Sequence, residues 1–389
     1  MPASLFRTLL PLALVTGTSM LAMDLYLPAV PTLQAALGVP VTLAQATVAV
    51  FLAGLAASQL VWGVALNRLG PRRCVLLGGG ALVLTSAGCA LAPDIGWLLA
   101  LRALQGAAAG AATVVTPSVV RASFGDHDAV RGLATIAMIE SSVPAAGPVL
   151  GAVLLGVTDW RGTFWVLAAV AAAALPFAVR VSPRELPGLD RTVPAGYAVL
   201  LRNGRFLRLA GSQALAMGAL LTFVASAPQL TRHVYGLGAA GFATLQVASV
   251  AVFMVVASQS GRISKALGPH RAIQLGAALH LALCALLCVA AATATVPFAA
   301  LLAFWCAFCG ALAVRGPASF SEALSLPPSQ MGRASALMVL AILVAGAVGT
   351  QGVAPFLAGA TVVPVAAAMA LQCALALLLV MRYPHNRPG

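Results

Sequence analysis

Twelve apolar runs, each long enough to cross a bilayer, leave this chain almost no other way to fold. About 20 apolar residues in a helix span the hydrocarbon core. Such runs fall at 8–30, 41–66, 74–92, 96–120, 132–156 and 162–181, and again at 207–230, 241–261, 272–292, 297–320, 334–358 and 363–382. Lipid offers no hydrogen bonds, so each run must satisfy its backbone internally as a helix. The break between the ninth and tenth runs is marked only by Thr293, Thr295 and Pro297. The first run is too long for a signal peptide, contains Asp24 and has no small-x-small cleavage site after it, so it is expected to stay as a helix. The expected fold is an all-α integral membrane protein with six helices in each half.

The halves are related by an internal repeat. Gly63, Leu69, Gly70, Pro71 and Arg73 reappear 198 residues later as Gly261, Leu267, Gly268, Pro269 and Arg271, and Leu77 and Gly78 reappear as Leu275 and Gly276. Both copies follow the second run of their half, so the repeats are parallel. The organisation expected is a bundle over 1–181, a polar linker over 182–206 carrying Pro183, Pro187, Gly188 and Pro194, and a second bundle over 207–389.

Basic residues fix the orientation. Arg68, Arg72, Arg73, Arg262, Lys265, Arg271 and most others fall on one side, whereas Arg161 and Arg232 fall on the other. The positive-inside rule then puts both termini in the cytoplasm. The same scatter through short loops excludes nucleic acid as a partner despite a net charge of +13, because no contiguous basic patch forms. With 61% hydrophobic and 8% charged residues, lipid is the solvent for most of the chain. No phosphate-binding loop, dinucleotide fingerprint or zinc-protease motif is present, and His280 stands alone in its helix, so neither an enzyme nor a cofactor or metal is expected. Of the seven cysteines, Cys306 and Cys309 form a C-x-x-C and Cys284 and Cys288 are one turn apart. Their apolar neighbours Phe304, Trp305 and Phe308 make them packing residues.

Ionisable residues inside the runs are few, and they mark function because they are costly in hydrocarbon. Asp24 lies six residues from the end of the first run, roughly 9 Å deep at 1.5 Å per residue. Glu140 lies about 12 Å from the inner end of the fifth run, near the midplane, above Pro144, Gly147, Pro148 and Gly151. Arg102 in the fourth run opens a small, polar stripe with Gln105, Gly106, Gly110 and Thr113, and needs a carboxylate, carbonyls or water opposite it. Arg315 is expected to pair with Glu322 or interfacial water. At the 198-residue offset Asp24, Arg102 and Glu140 become Thr222, Ala300 and Met338, so the acid chemistry sits in the first half alone.

These motifs resemble a known family. Gly63, Asn67, Arg68, Gly70, Arg72 and Arg73 are similar to the gating-loop signature of the major facilitator superfamily. Leu101 to Gly106 resembles its fourth-helix signature, and Gly147, Pro148 and Gly151 its fifth-helix antiporter signature. Met23 to Pro31 resembles the first helix of the Bcr/CflA and chloramphenicol-exporter group. Arg202 to Phe206, Ser226 to Pro228 and Leu245 to Val247 resemble MdfA-type multidrug exporters. The resemblance covers essentially the whole chain.

It implies two six-helix bundles around a cavity that opens alternately to each side of a bacterial inner membrane. The implied activity is export of lipophilic drugs in exchange for protons, and the protein is expected to be a monomer. Asp24 is the implied coupling acid, Arg102 the fourth-helix charge, and Gly147 with Pro148 the hinge and seal of the fifth helix. Tyr26, Phe51, Phe223, Phe253 and Trp305 are candidates for an aromatic drug lining. Two departures matter. The usual acid of the gating loop is Asn67, which weakens its pull on the loop's basic residues. The second first-helix acid of MdfA-type exporters is Thr16, and Glu140 is expected to replace it. The rivals are a metabolite exporter or proton-coupled nutrient carrier of the same superfamily, against which the fifth-helix signature argues, and a transport-dead sensor.

Overall fold

The computed structural model describes residues 3–123, 142–179, 181, 197–359 and 361–381, without the side chains of residues 3–9, 67, 121–123, 264, 328 and 329. Everything regular in this range is helical. The first half holds α1 (Ala3–Asp24), a 3-10 turn (Leu27–Ala29), α2 (Val30–Leu37), α3 (Val41–Leu69), α4 (Pro71–Leu91), α5 (Ile95–Ser123), α6 (Ser142–Leu155) and α7 (Trp160–Ala178). The second holds α8 (Tyr197–Arg202), α9 (Gly204–His233), α10 (Gly238–Leu267), α11 (Pro269–Thr293), α12 (Phe298–Ala323), α13 (Pro328–Val353), a 3-10 turn (Ala354–Gly359) and α14 (Val363–Met381). Among the described residues, 11 helical segments are long and apolar enough to cross a membrane, and α6 is a shorter apolar helix beside them.

The helices form two compact units. One contains α1 to α7 together with Gly236–Val247 at the start of α10; the other contains α8, α9, the remainder of α10, and α11 to α14.

The first span departs from its sequence-based reading. Pro28 and Pro31 look like a terminus, but the span runs on to Leu37. Proline is tolerated at the start of a helix, where its missing N–H costs nothing. The chain therefore breaks after Asp24, turns through Leu27–Ala29 and restarts at Val30 with prolines in both first turns. Asp24 lies not 9 Å from the end of the span but about 20 Å from Leu37.

The internal repeat is a repeat of structure. α3 ends at Leu69 and α4 begins at Pro71, with Gly70 between them at φ 78°; Gly268 takes the same φ of 78° ahead of Pro269. That left-handed backbone favours glycine, and proline follows at the first helical position in both copies. Gly63 lies two turns before the bend, inside α3, while Arg68 and Arg73 are exposed and Arg72 is partly covered. The Asn67 side chain lies outside the described residues.

A sharp corner precedes α7. The Asp159 carboxylate accepts from the backbone N–H groups of Arg161 at 3.0 Å and Gly162 at 3.3 Å, capping the helix. Arg161 stacks over Trp160 at 4.2 Å and donates to the Ala92 carbonyl at the end of α4. Asp159→Ala is expected to cost about 1 kcal/mol, the usual value of such a cap. A melt in detergent should show a lowered Tm with transport retained.

Candidate functional site

The site begins with the contact between α3 and α5. A Cβ placed on Gly106 would run into the Phe51 carbonyl, and one on Gly54 into the Ala103 carbonyl. Glycine at both positions lets the two backbones touch. That approach carries the guanidinium of Arg102 into α3 and onward to the end of α1.

Arg102 is fully buried. Its Nη1 donates to the Ala22 carbonyl at 3.0 Å and to the Gln105 side chain at 2.5 Å, and its Nε donates to the Thr47 carbonyl at 3.3 Å. Ala22 lies in the last turn of α1, where helical carbonyls run out of backbone donors and the dipole favours a cation. The break in α1 thus supplies the acceptor that a buried arginine needs. Three rings close around the same group: Phe51 at 4.3 Å, Tyr26 at 4.4 Å and Phe164 of α7 at 5.7 Å. Tyr26 is fixed in turn by its hydroxyl, 2.6 Å from the Thr47 hydroxyl, and by Phe164, 4.9 Å away. Gln105 passes the network on to Ser86 of α4 at 2.8 Å.

Asp24 closes α1 two residues beyond Ala22. It is 9% exposed, and among the described residues no hydrogen bond or ion pair holds its carboxylate. Pro28 has no N–H to offer the Asp24 carbonyl, so the break loosens the backbone at the acid itself. α6 presses on this point. A Cβ on Gly147 would stand 2.6 Å from the Asp24 Cβ, and one on Gly151 would stand 2.5 Å from the Leu25 carbonyl and 3.0 Å from Pro28. The antiporter-type glycines of α6 and the acid of α1 are therefore one contact. Arg102 and Asp24 are joined through the backbone of α1 and not by an ion pair.

Several expected residues sit elsewhere. Glu140 lies outside the described residues. Tyr26 and Phe51 belong to the arginine's ring cluster. Phe223 and Trp305 stack on each other at 4.0 Å inside the second unit, both buried, and Phe253 is partly exposed on α10. Arg315 does not pair with Glu322. Glu322 binds Arg205 at 2.7 Å, while Arg315 is fully buried and donates to Ser212 of α9. Seven residues along a helix is about 10 Å, too far for that pairing. Thr47 and Phe164 were not foreseen, since a threonine or phenylalanine in an apolar run carries no signal without its neighbours.

Comparison with known proteins agrees with the fold. Residues 12–350 match the family model of the Major Facilitator Superfamily. The chain is 34% identical over 281 residues to a chloramphenicol resistance protein of Pseudomonas aeruginosa, covering 70% of this chain and 66% of that one. It is 28% identical over 235 residues to multidrug resistance protein MdtL of Escherichia coli O127:H6, covering 60% of each. These alignments thus span just under two thirds of the relatives' lengths. Among solved structures, the xylose transporter XylE from E. coli superposes with a TM-score of 0.77 at 15% identity over 99% of both chains. A bacterial homologue of the lysosomal transporter Spinster superposes at 0.73 and 12%, over 98% of this chain and 96% of that one. With the family match across most of its length and these helices in place, the chain belongs to the major facilitator superfamily.

Proposed function

We propose that this protein exports lipophilic small molecules, chloramphenicol-like neutral compounds or lipophilic cations, in exchange for protons. The observation that carries the reading is Asp24: a carboxyl group near the middle of the first span, buried, unpaired among the described residues, and packed against Gly147 at a break in its helix. An acid without a fixed cation has no partner to hold its charge, and an ionisable group at such depth marks an ion or substrate path. Such a group takes up and gives back a proton as its surroundings change. The names of the relatives supply the substrate class.

In this mechanism deprotonated Asp24 favours the polar or cationic part of a drug when the site is open to the cytoplasm. A proton arriving from the opposite side neutralises the acid, and the drug leaves. One proton moving through about 100 mV contributes about 2.3 kcal/mol, enough for a concentration ratio of about fifty. Arg102 holds the end of α1 in place through Ala22, with its Nε and Nη1 bonded and rings around its guanidinium, while its Nη2 has no hydrogen-bond partner among the described residues. The protein works as a monomer in a bacterial inner membrane with both termini in the cytoplasm.

Cells expressing the protein should extrude chloramphenicol or ethidium, and a protonophore should stop them. Extrusion that continues unchanged with the proton gradient collapsed would rule out coupling. Glu140 is the second proton carrier in this account, standing in for the acid that Thr16 lacks; Thr16 itself is tied to Thr116, hydroxyl to hydroxyl, at 2.7 Å. Glu140→Ala should reach the membrane normally and lose proton-coupled transport. Wild-type coupling in that variant would remove Glu140 from the mechanism.

A further inference from the structure

Two helices of the second unit meet along a seam of sulfur. Cys284 of α11 and Cys373 of α14 are both buried, with their Sγ atoms 3.9 Å apart. The helices run antiparallel, because Gln274 reaches the Val380 carbonyl at 3.3 Å while Cys284 meets Cys373. Continuing that register by one turn brings Cys288 level with Met369, which is buried as well. Four soft sulfur donors thus lie within two turns of one seam. His280 lies one turn the other way; its Nε2 is 3.1 Å from the Phe308 carbonyl and its ring stacks on Phe308 at 4.2 Å, while its Nδ1 has no hydrogen-bond partner among the described residues.

The charge around this seam is unusual. Arg315 is fully buried, and its Nε and Nη1 have no hydrogen-bond partner among the described residues. Its Nη2 donates to the Ser212 hydroxyl at 2.8 Å, and that hydroxyl donates at 2.7 Å to the Ala376 carbonyl, in the turn of α14 that follows Cys373. Across residues 207–389 the only acidic side chain is Glu322, and Glu322 is taken by Arg205. A buried cation whose unit offers it no free carboxylate is costly unless something negative stands near it.

We propose that Cys284 and Cys373 form a two-thiolate site for a soft monovalent cation, Ag(I) or Cu(I), with Arg315 balancing its charge. Two S–H bonds break, two sulfur–metal bonds form and two protons leave to solvent, with no change of oxidation state. The bis-thiolate complex of a singly charged ion carries one net negative charge, which is what Arg315 lacks. Thiolate sulfur selects soft ions of this kind. Zinc is a poor match, because it takes four ligands and no group of three His, Cys, Asp or Glu among the described residues is arranged to hold a metal. At a metal–sulfur distance of about 2.3 Å, a linear bridge asks the sulfurs to part by less than about 1 Å. A bent bridge, with Met369 as a third donor, asks for less.

The test uses the full chain purified in detergent, in nitrate buffer, with silver nitrate as the probe and glutathione as competitor. Native mass spectrometry should show a silver ion retained by the wild type. Cys284→Ala and Cys373→Ala should each weaken that retention by at least about tenfold in Kd, or about 1.4 kcal/mol, while Cys306→Ala keeps it. X-ray absorption at the silver edge of the wild type should show sulfur neighbours only. Retention unchanged in folded Cys284→Ala and Cys373→Ala would overturn the site. So would a wild type that yields all its silver to glutathione, or one whose silver is bound by nitrogen and oxygen, and those two measurements need no variant to fold.

Discussion

Gly147→Leu is expected to insert in the membrane and to lose transport. The Cβ at this position would stand 2.6 Å from the Asp24 Cβ, 3.2 Å from its carbonyl carbon and 3.3 Å from the Leu25 nitrogen. Two of these are backbone atoms and the third is fixed to it, so no side-chain rotation relieves the clash. α6 must move away from α1 at the acid. Overpacking of this kind costs about 1–3 kcal/mol, and a displaced coupling site loses its function before the fold fails. Transport should fall at least about tenfold for Gly147→Ala, which corresponds to about 1.4 kcal/mol, and to background for leucine. Gly80→Ala is the matched control, since a Cβ there meets nothing within 4 Å. Drug accumulation in cells, normalised to protein in the membrane, reads all three.

The second large effect is expected at Arg102. Lysine keeps the charge but not the plane, and it places its donors around a single point. It cannot reach the Ala22 and Thr47 carbonyls together while lying flat between Tyr26 and Phe51. Arg102→Lys should therefore lose most of its transport although the net charge is unchanged. Arg102→Ala should also lose about 3–5 kcal/mol of stability. Hydrogen bonds from a charged group are worth about 1.5–3 kcal/mol, and a desolvated cation–ring contact about 2 kcal/mol. Unfolding in detergent separates the two outcomes: the lysine variant should melt near the wild type and the alanine variant well below it.

The architecture was readable because lipid imposes a length on every span, and the bends after α3 and α10 were readable because Gly70-Pro71 and Gly268-Pro269 repeat. The depth of Asp24 was not. Pro28 and Pro31 are equally good as an end and as a restart, and only the packing of α6 on the break decides between them. Arg102 was recognisable as a buried charge that needed acceptors. Which acceptors it finds depends on Gly54 and Gly106 bringing α3 close enough to supply the Thr47 carbonyl. Arg315 was paired with Glu322 because they are near in sequence, whereas the structure gives Glu322 to Arg205 on another helix. The Cys284–Cys373 contact joins residues 89 apart in the chain, and neither cysteine has a motif to mark it.

The central claim is that Asp24 exchanges a proton for drug, and the most direct measurement is drug-induced proton release from inside-out vesicles. Chloramphenicol and ethidium are added in turn to vesicles containing the wild type and to vesicles containing Asp24→Asn at equal density. An amide cannot ionise, so the account predicts proton release with the wild type and none with the variant. Release of the same size from Asp24→Asn would contradict it, and would move the coupling proton to another group.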